Sequence, residues 1–388
     1  MLASTWRIRG KDAMAVPLLD LHEQHATLGS GLHEAFEQVL ESDQFILGPF
    51  VEQFERHLAQ YTGVPHVVGV SSGTDALLMS MMALGIEPED EVITTPLTFF
   101  CTAGCVMRLG ARPVFVDIDP QTLNLDVEQV ETAITTRTRA ILPVHLFGLP
   151  VQMDRLMQLS RLRDLLVIED AAQALGARFA SERVGAMGTV GCYSFYPTKN
   201  LAGLGDAGAI VTSDDVIAER LRLLRVHGSD DGVHYRSVGG NFRLDALQAA
   251  MLSVKLPWLD HWSQRRRAHA ARYNEHLAAL PLILPSEPVP TYHVYNQYTV
   301  LVPGGQRDAL AGHLAAQGIG NRVYYSVPLH LQPALGQLGY MVGDFPHAER
   351  AANEVISLPV FPEMTEQQQD TVIDSIGVFF DDQAHPRD

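Results

Sequence analysis

Three residues of this chain have types and spacing suited to a single chemistry: Asp170, Gln173 and Lys199. The apolar run Leu165–Ile168 delivers Asp170 at its edge. Gln173 lies three residues on, so both can face one site if a turn or helix starts there. Lys199 comes just after a second strand-like run, which stops at Pro197. A carboxylate, an amide and a lysine at strand ends meet the needs of a pyridoxal phosphate (PLP) site. The lysine holds the cofactor as an imine. The carboxylate keeps the pyridine nitrogen protonated so that the ring accepts electrons, and the amide can hydrogen-bond the phenolic oxygen. Once freed, the lysine amine can carry a proton between the substrate carbon and the cofactor. Plainer uses stand beside these: Asp170 can cap a following helix, Gln173 can satisfy backbone groups, and most lysines are solvated charges. Glu169 would point to the other face of its strand and stays outside the site.

A second set of residues could support such a site. Ser72-Gly73-Thr74-Asp75 lies between an expected strand and helix, where unpaired backbone N–H groups hold a phosphate well. Ser and Thr are equally ordinary helix caps. The stretch Gly203–Gly208 lets the backbone pass close to a ligand. His145 ends the fourth strand-like run, a position that suits ligand contact or structural support. Arg265-Arg266-Arg267 could attract a diphosphate, but a solvated helix face is the expected reading. Cys101, Cys105 and Cys192 have no metal-site or disulfide spacing and read as small buried hydrophobes in a reducing cytosol. No Gly-x-Gly-x-x-Gly follows the first strand, which argues against a nicotinamide-binding Rossmann enzyme.

The elements that must position these residues form an alternating pattern. Strands are expected at His66–Val70, Glu91–Thr95, Pro113–Asp117, Ala140–Val144, Leu165–Ile168, Val190–Phe195 and Ala209–Thr212. Helices are expected at Asp75–Leu84 and Thr98–Leu109. Strands that are β-branched, nearly continuous in apolar character and separated by helices argue for a mainly parallel sheet covered on both faces, hence an α/β fold. From Arg243 the period turns helical, with Leu244, Leu247, Ala250, Met251 and Val254 on one face. After Pro281 come a strand at Gln297–Val302 and helices at Arg307–Gln317 and Pro346–Ile356. The expected division is residues 1–15 as a disordered tail without a signal peptide, 16–262 as a large domain, and 263–388 as a smaller C-terminal α+β domain. The net charge of −17 argues against a nucleic-acid partner. No apolar run is long enough to span a bilayer.

Around Glu169-Asp170-Ala171-Ala172-Gln173 and Tyr193-Ser194-Phe195-Tyr196-Pro197-Thr198-Lys199-Asn200, the chain resembles the DegT/DnrJ/EryC1/StrS sugar aminotransferases. These are PLP-dependent transferases of fold type I, the aspartate aminotransferase type, and the resemblance runs from about Val16 to the last expected helix. It implies that Gly73, Thr74 and Ser194 hold the PLP phosphate and that Phe99 stacks on the ring. It also implies that Asn241, in Gly239-Gly240-Asn241-Phe242-Arg243, reaches the phosphate of a neighbouring subunit in a cytoplasmic homodimer with shared active sites. Tyr324, Tyr325 and His330 resemble a substrate-side segment, with His145 facing the same crevice.

The implied reaction moves an amino group from glutamate to a keto sugar on a nucleoside diphosphate. The stretch Leu204-Gly205-Asp206-Ala207-Gly208 is similar to that of enzymes aminating C3 of a thymidine-diphosphate 3-keto-6-deoxyhexose. Relatives acting on 4-keto sugars often read Thr-Gly-Glu-Gly-Gly there. The alternatives are C4 amination, or amination of a uridine-linked 3-keto uronate. A dehydratase on this scaffold would often carry His in place of Lys199. A regulatory protein without catalysis would be expected to lose Lys199 or Asp170.

Overall fold

The structure, a computed structural model, describes residues 16–384, so the tail expected at 1–15 lies outside the described residues. Five strands come first: β1 (His66–Val70), β2 (Glu91–Thr94), β3 (Arg112–Phe115), β4 (Thr138–Ile141) and β5 (Leu166–Asp170). A short hairpin of β6 (Arg178–Phe179) and β7 (Glu182–Arg183) follows, then β8 (Val190–Ser194) and β9 (Gly208–Thr212). Seven of these make one sheet in the order β1-β9-β8-β5-β4-β2-β3. Only β9 runs antiparallel to its neighbours. Both faces are covered, and all residues of β2 and β9 are buried, which is why these strands read as unbroken apolar runs.

Several strand and helix boundaries differ from expectation. The fourth strand was expected at Ala140–Val144, but pairing stops at Ile141. Pro143 has no N–H to give a ladder, and Val144 makes only an isolated bridge to Asp170. The helix expected from Thr98 begins at Cys101. The helix expected over Pro346–Ile356 ends at Glu354, because Val355–Leu358 pairs antiparallel with Tyr298–Leu301. Helical spacing continues through this β-branched segment, yet the tertiary pairing prevails.

Two helices not picked out by periodicity, His22–Ser42 and Pro49–Thr62, pack on the helix Ala246–Lys255. Together with one sheet face they bury the core around Phe54, Leu58, Phe195 and Leu252. Beyond β10 (Thr291–Tyr292), the pair β11 (Tyr298–Leu301) and β12 (Val355–Leu358) packs with helices Arg307–Ala316 and Glu366–Ala384 around Tyr273, Tyr298 and Ile376. The helix Leu259–Leu277 serves both cores: Leu259 and Trp262 lie in the first, Ala270, Tyr273 and Leu277 in the second. Val16 bridges to Ile319 and is buried in that second core. Among the described residues no helix is long and apolar enough to cross a membrane.

Two of the three arginines depart from the solvated face expected of the triplet, while Arg265 is exposed. Arg266 is buried and donates to the carbonyls of Tyr295 and Val360, while Arg267 pairs with Glu287. These guanidinium groups tie together chain segments within the fold.

Close backbone packing beside the site gives the first prediction. A Cβ on Gly191 would lie 2.1 Å from the Gly185 carbonyl oxygen, with backbone on both sides of the clash. Gly191→Ala should therefore cost about 3 kcal/mol of stability, read as a lowered urea midpoint.

Candidate active site

The carboxyl ends of β1, β5 and β8 converge on one edge of the sheet, where the side chains singled out in the sequence meet. β5 ends at Asp170, which is 4% exposed. Its Oδ2 accepts a hydrogen bond from the Thr102 hydroxyl at 2.9 Å and its Oδ1 from the Ala172 N–H at 3.2 Å. Burial pushes its pKa above the ordinary carboxylate value, while Thr102, Ala172 and Lys199 act in the other direction. Thr102 escaped the sequence reading. Its signal is its spacing three residues after Phe99, on the first turn of Cys101–Arg108.

Lys199 sits on the loop between β8 and β9. Burial holds its amine below the ordinary lysine value, and the neighbouring Asp170 charge partly offsets this. The two groups are thus close enough to feel each other.

Gln173 is buried and its amide has a defined direction. Its Oε1 accepts from the Phe147 N–H at 2.6 Å and its Nε2 donates to the Tyr325 hydroxyl at 3.1 Å. Phe147 is in the left-handed region at φ 58°, which aims that N–H. Tyr325 also faces the ring of Phe99, with centroids 6.3 Å apart. Phe99 is 54% exposed and lies just before the helix rather than within it, so its face remains open.

The segment after β1 forms a tight cradle. Ser72 caps the helix Gly73–Ala83 by accepting from the Asp75 N–H, and the hydroxyls of Ser71 and Ser72 both donate to Asp75. A Cβ on Gly73 would lie 2.6 Å from the Ser194 Cβ, and one on Gly208 would lie 2.5 Å from the Ser72 carbonyl carbon. Two missing side chains therefore let the helix start, with Gly73 and Thr74, press onto the paired residues Ser194 and Gly208. Asn241 is exposed, on a segment tied to the end of β1 by the Ser71 N–H to Phe242 carbonyl bond.

Two histidines are placed differently from the substrate role expected of them. His145 has no exposed surface. Val151 N–H donates to its Nδ1, so its proton sits on Nε2, which faces Glu169 at 3.1 Å. Glu169 also accepts from the N–H groups of Gly185, Met187 and Gly188, as expected for a residue on the far strand face. His145 is thus spent on support directly behind Asp170, whose carbonyl accepts its backbone N–H. His330 is 2% exposed, with Nε2 against Glu349 and its ring edge-on to Phe345. Tyr324 is half-buried, beside Tyr325 and under Arg322.

Residues 27–377 match the DegT/DnrJ/EryC1/StrS aminotransferase family, and the chain belongs to it. The chain is 47% identical over 370 residues to the "pleiotropic regulatory protein" of Geobacillus stearothermophilus, covering 95% of this chain and 99% of that one. It is 44% identical over 362 residues to the dTDP-3-amino-3,4,6-trideoxy-α-D-glucose transaminase of Streptomyces venezuelae, covering 93% and 95%. The crystal structure of S. venezuelae DesV in complex with a ketimine intermediate superposes with a TM-score of 0.93 at 43% identity, covering 97% of this chain and all of that one.

The protein is an aminotransferase with PLP as its cofactor. Its residues fit that group: Asp170 is a buried carboxylate that a cation would stabilise, Lys199 is a buried amine near it, and Gly73 and Gly208 let a helix start lie directly against Ser194.

The buried carboxylate gives the second prediction. A raised pKa means the folded, cofactor-free protein holds the Asp170 proton more tightly than the unfolded chain does. Its stability should fall as pH rises from the ordinary carboxylate value toward the folded one. Cofactor-free Asp170→Asn should melt above the unsubstituted protein at about pH 8, with the gap closing at about pH 4. The same variant should retain PLP poorly on dialysis.

Proposed function

We propose that this enzyme transfers an amino group from glutamate to C3 of a 3-keto-6-deoxyhexose linked to thymidine diphosphate. The observation that carries the chemistry is the Lys199–Asp170 pair, a burial-weakened amine beside a burial-strained carboxylate. The position on the sugar is supported by the Leu204–Gly208 stretch and by likeness to a relative named for a 3-amino trideoxyglucose.

Bound PLP would supply an electron sink for a carbanion at the substrate carbon. The rest falls to the protein. Asp170 holds a positive charge at the sheet edge, and that charge in turn makes its own burial less costly. Gln173, its Oε1 already engaged by Phe147, can turn only N–H donors toward a phenolic oxygen. Phe99 offers an open ring face for stacking. Gly73, Thr74 and Ser194 receive the phosphate. Lys199 anchors the cofactor covalently, and its lowered pKa gives the freed amine the unprotonated fraction that proton acceptance requires. Tyr325, already bonded to Gln173, and Tyr324 beside it line the substrate side.

We also infer a homodimer, in which the exposed Asn241 reaches the partner's phosphate site. We also propose a domain boundary near Trp262, a reading supported by the change of core membership along Leu259–Leu277. The reading applies to a protein that keeps both Lys199 and Asp170, unlike a regulator that has lost catalysis.

The third prediction separates these levels. Purified protein with PLP and glutamate, given a thymidine-diphosphate 3-keto-6-deoxyhexose, should yield 2-oxoglutarate and a sugar whose proton spectrum places nitrogen on C3. The 4-keto isomer should yield none. Product aminated at C4 alone would overturn the position, and no 2-oxoglutarate with either sugar would overturn the donor. Lys199→Ala should lower turnover about 10⁴-fold.

A further inference from the structure

We propose that Gln248 and Lys255 are positioning residues that clamp the loop carrying Lys199 and so set where its amine is presented. The proposal rests on the reading of Lys199 as the covalent amine. The loop leaves β8 after Ser194 and returns at Gly208. Its internal bonds fold it onto itself: Phe195 N–H to Ala207 carbonyl at 2.8 Å, Gly203 N–H to Phe195 carbonyl at 2.7 Å, and Lys199 N–H to Tyr196 carbonyl at 2.8 Å. None of these bonds fixes the loop's far end to the rest of the molecule.

That task falls to one helix, Ala246–Lys255. Gln248 Oε1 accepts from the Leu204 N–H at 2.8 Å, and Lys255 Nζ donates to the Ala202 carbonyl at 2.8 Å. Positions 248 and 255 lie about two turns apart, so they share a face of the helix. Gly203, between the two gripped residues, has no Cβ; one there would lie 3.0 Å from Gln248 Oε1 and 3.1 Å from the Phe195 carbonyl oxygen. A third tie runs from Asn200 Nδ2 to the Val294 carbonyl at 3.1 Å. The loop is thus held on both sides of its turn, and Lys199 lies within five residues of every tie.

Lys255 is the unusual member. It is fully buried, its other hydrogen-bond neighbour among the described residues is His25 Nε2 at 3.0 Å, and burial pulls its pKa down to about 8. A buried amine without a carboxylate partner is costly, and an aliphatic side chain would fill the same space at lower cost. What the amine adds is a donor on Ala202. A displacement of about 1 Å in a reacting group is enough to cost a large factor in rate, so a fixed loop matters for presenting Lys199.

The test compares Gln248→Leu, Gln248→Glu and Lys255→Met. Glutamate retains an acceptor for the Leu204 N–H, whereas leucine does not. Hydrogen exchange in cofactor-free protein should accelerate at least about tenfold at the Lys199 and Gly203 amides in Gln248→Leu and Lys255→Met, with β5 amides unchanged. Trapping of PLP on Lys199 with borohydride, read as a modified peptide, should slow by a similar factor. Gln248→Glu should stay within about twofold of the unsubstituted protein in both readouts. Folded Gln248→Leu and Lys255→Met proteins with unchanged exchange at these amides would overturn the clamp. Faster exchange with unchanged trapping would overturn the positioning role. Failure of the unsubstituted protein to be trapped at Lys199 would instead overturn the reading of Lys199, while exchange would still judge the clamp.

Discussion

A carboxylate buried at the end of a parallel strand is the constraint around which this molecule is arranged. Asp170 ends β5 at the sheet edge, and that position removes it from water. The protein supplies two neutral donors, Thr102 and the Ala172 N–H, which leave the acid weaker than in water. A positive charge beside it favours its ionised form, as the nearby Lys199 does. On the reading proposed above, a cationic ring beside Asp170 would relieve the cost of its burial. The adjoining carboxylate follows the opposite logic. Glu169, on the other strand face, is saturated by three backbone N–H groups and by His145, so it can neither bind a ligand nor move. Adjacent acids have been given unlike tasks by the two-residue period of a strand.

The cradle after β1 is governed by volume rather than charge. Gly73 and Gly208 allow a helix start to lie directly on the β8–β9 pair. Side chains at either position would separate these elements and lift the helix N–H groups away from Ser194. Because β9 is the antiparallel strand of the sheet, it returns the chain from the Lys199 loop straight to this cradle. Lys199 and the cradle of Gly73, Ser194 and Gly208 are therefore joined through one hairpin-like connection.

Much of this was legible in the chain because it depends on local pattern. All seven sheet strands were readable, since buried parallel strands are continuous apolar runs. Asp170, Gln173 and Lys199 were readable because their residue types and their places after strands limit the chemistry. What escaped depended on distant partners. Val355–Leu358 is a strand only because Tyr298–Leu301 lies beside it. Thr102 matters only because Asp170, 68 residues away, is its acceptor. His145 stands at a strand's carboxyl end, the expected place for a ligand contact. Its ring nitrogens are nevertheless taken by Val151 and Glu169, and nothing in the local sequence announces that pairing. Arg266 likewise reads as one of three solvated charges until its carbonyl acceptors at residues 295 and 360 are seen.

The Gln173 amide joins the two parts of the chain. Left free, an amide can present either its oxygen or its nitrogen to a ligand, and only the nitrogen suits a phenolic oxygen that bears negative charge. The left-handed backbone at Phe147 settles the matter by placing an N–H against Oε1. The amino group then points toward Tyr325, which arrives from the C-terminal half. That half is itself tied down beside the site, since the Leu329 N–H bonds the Pro96 carbonyl just before Phe99. Tyr325 is thus registered against the Gln173 amide by a hydrogen bond rather than by apolar contact alone. Hydrogen bonds have narrow distance and angle requirements, so a shift of the C-terminal half would break the Gln173–Tyr325 contact before it relaxed the packing. The amide orientation and the closeness of the two halves are for this reason a single property of the structure.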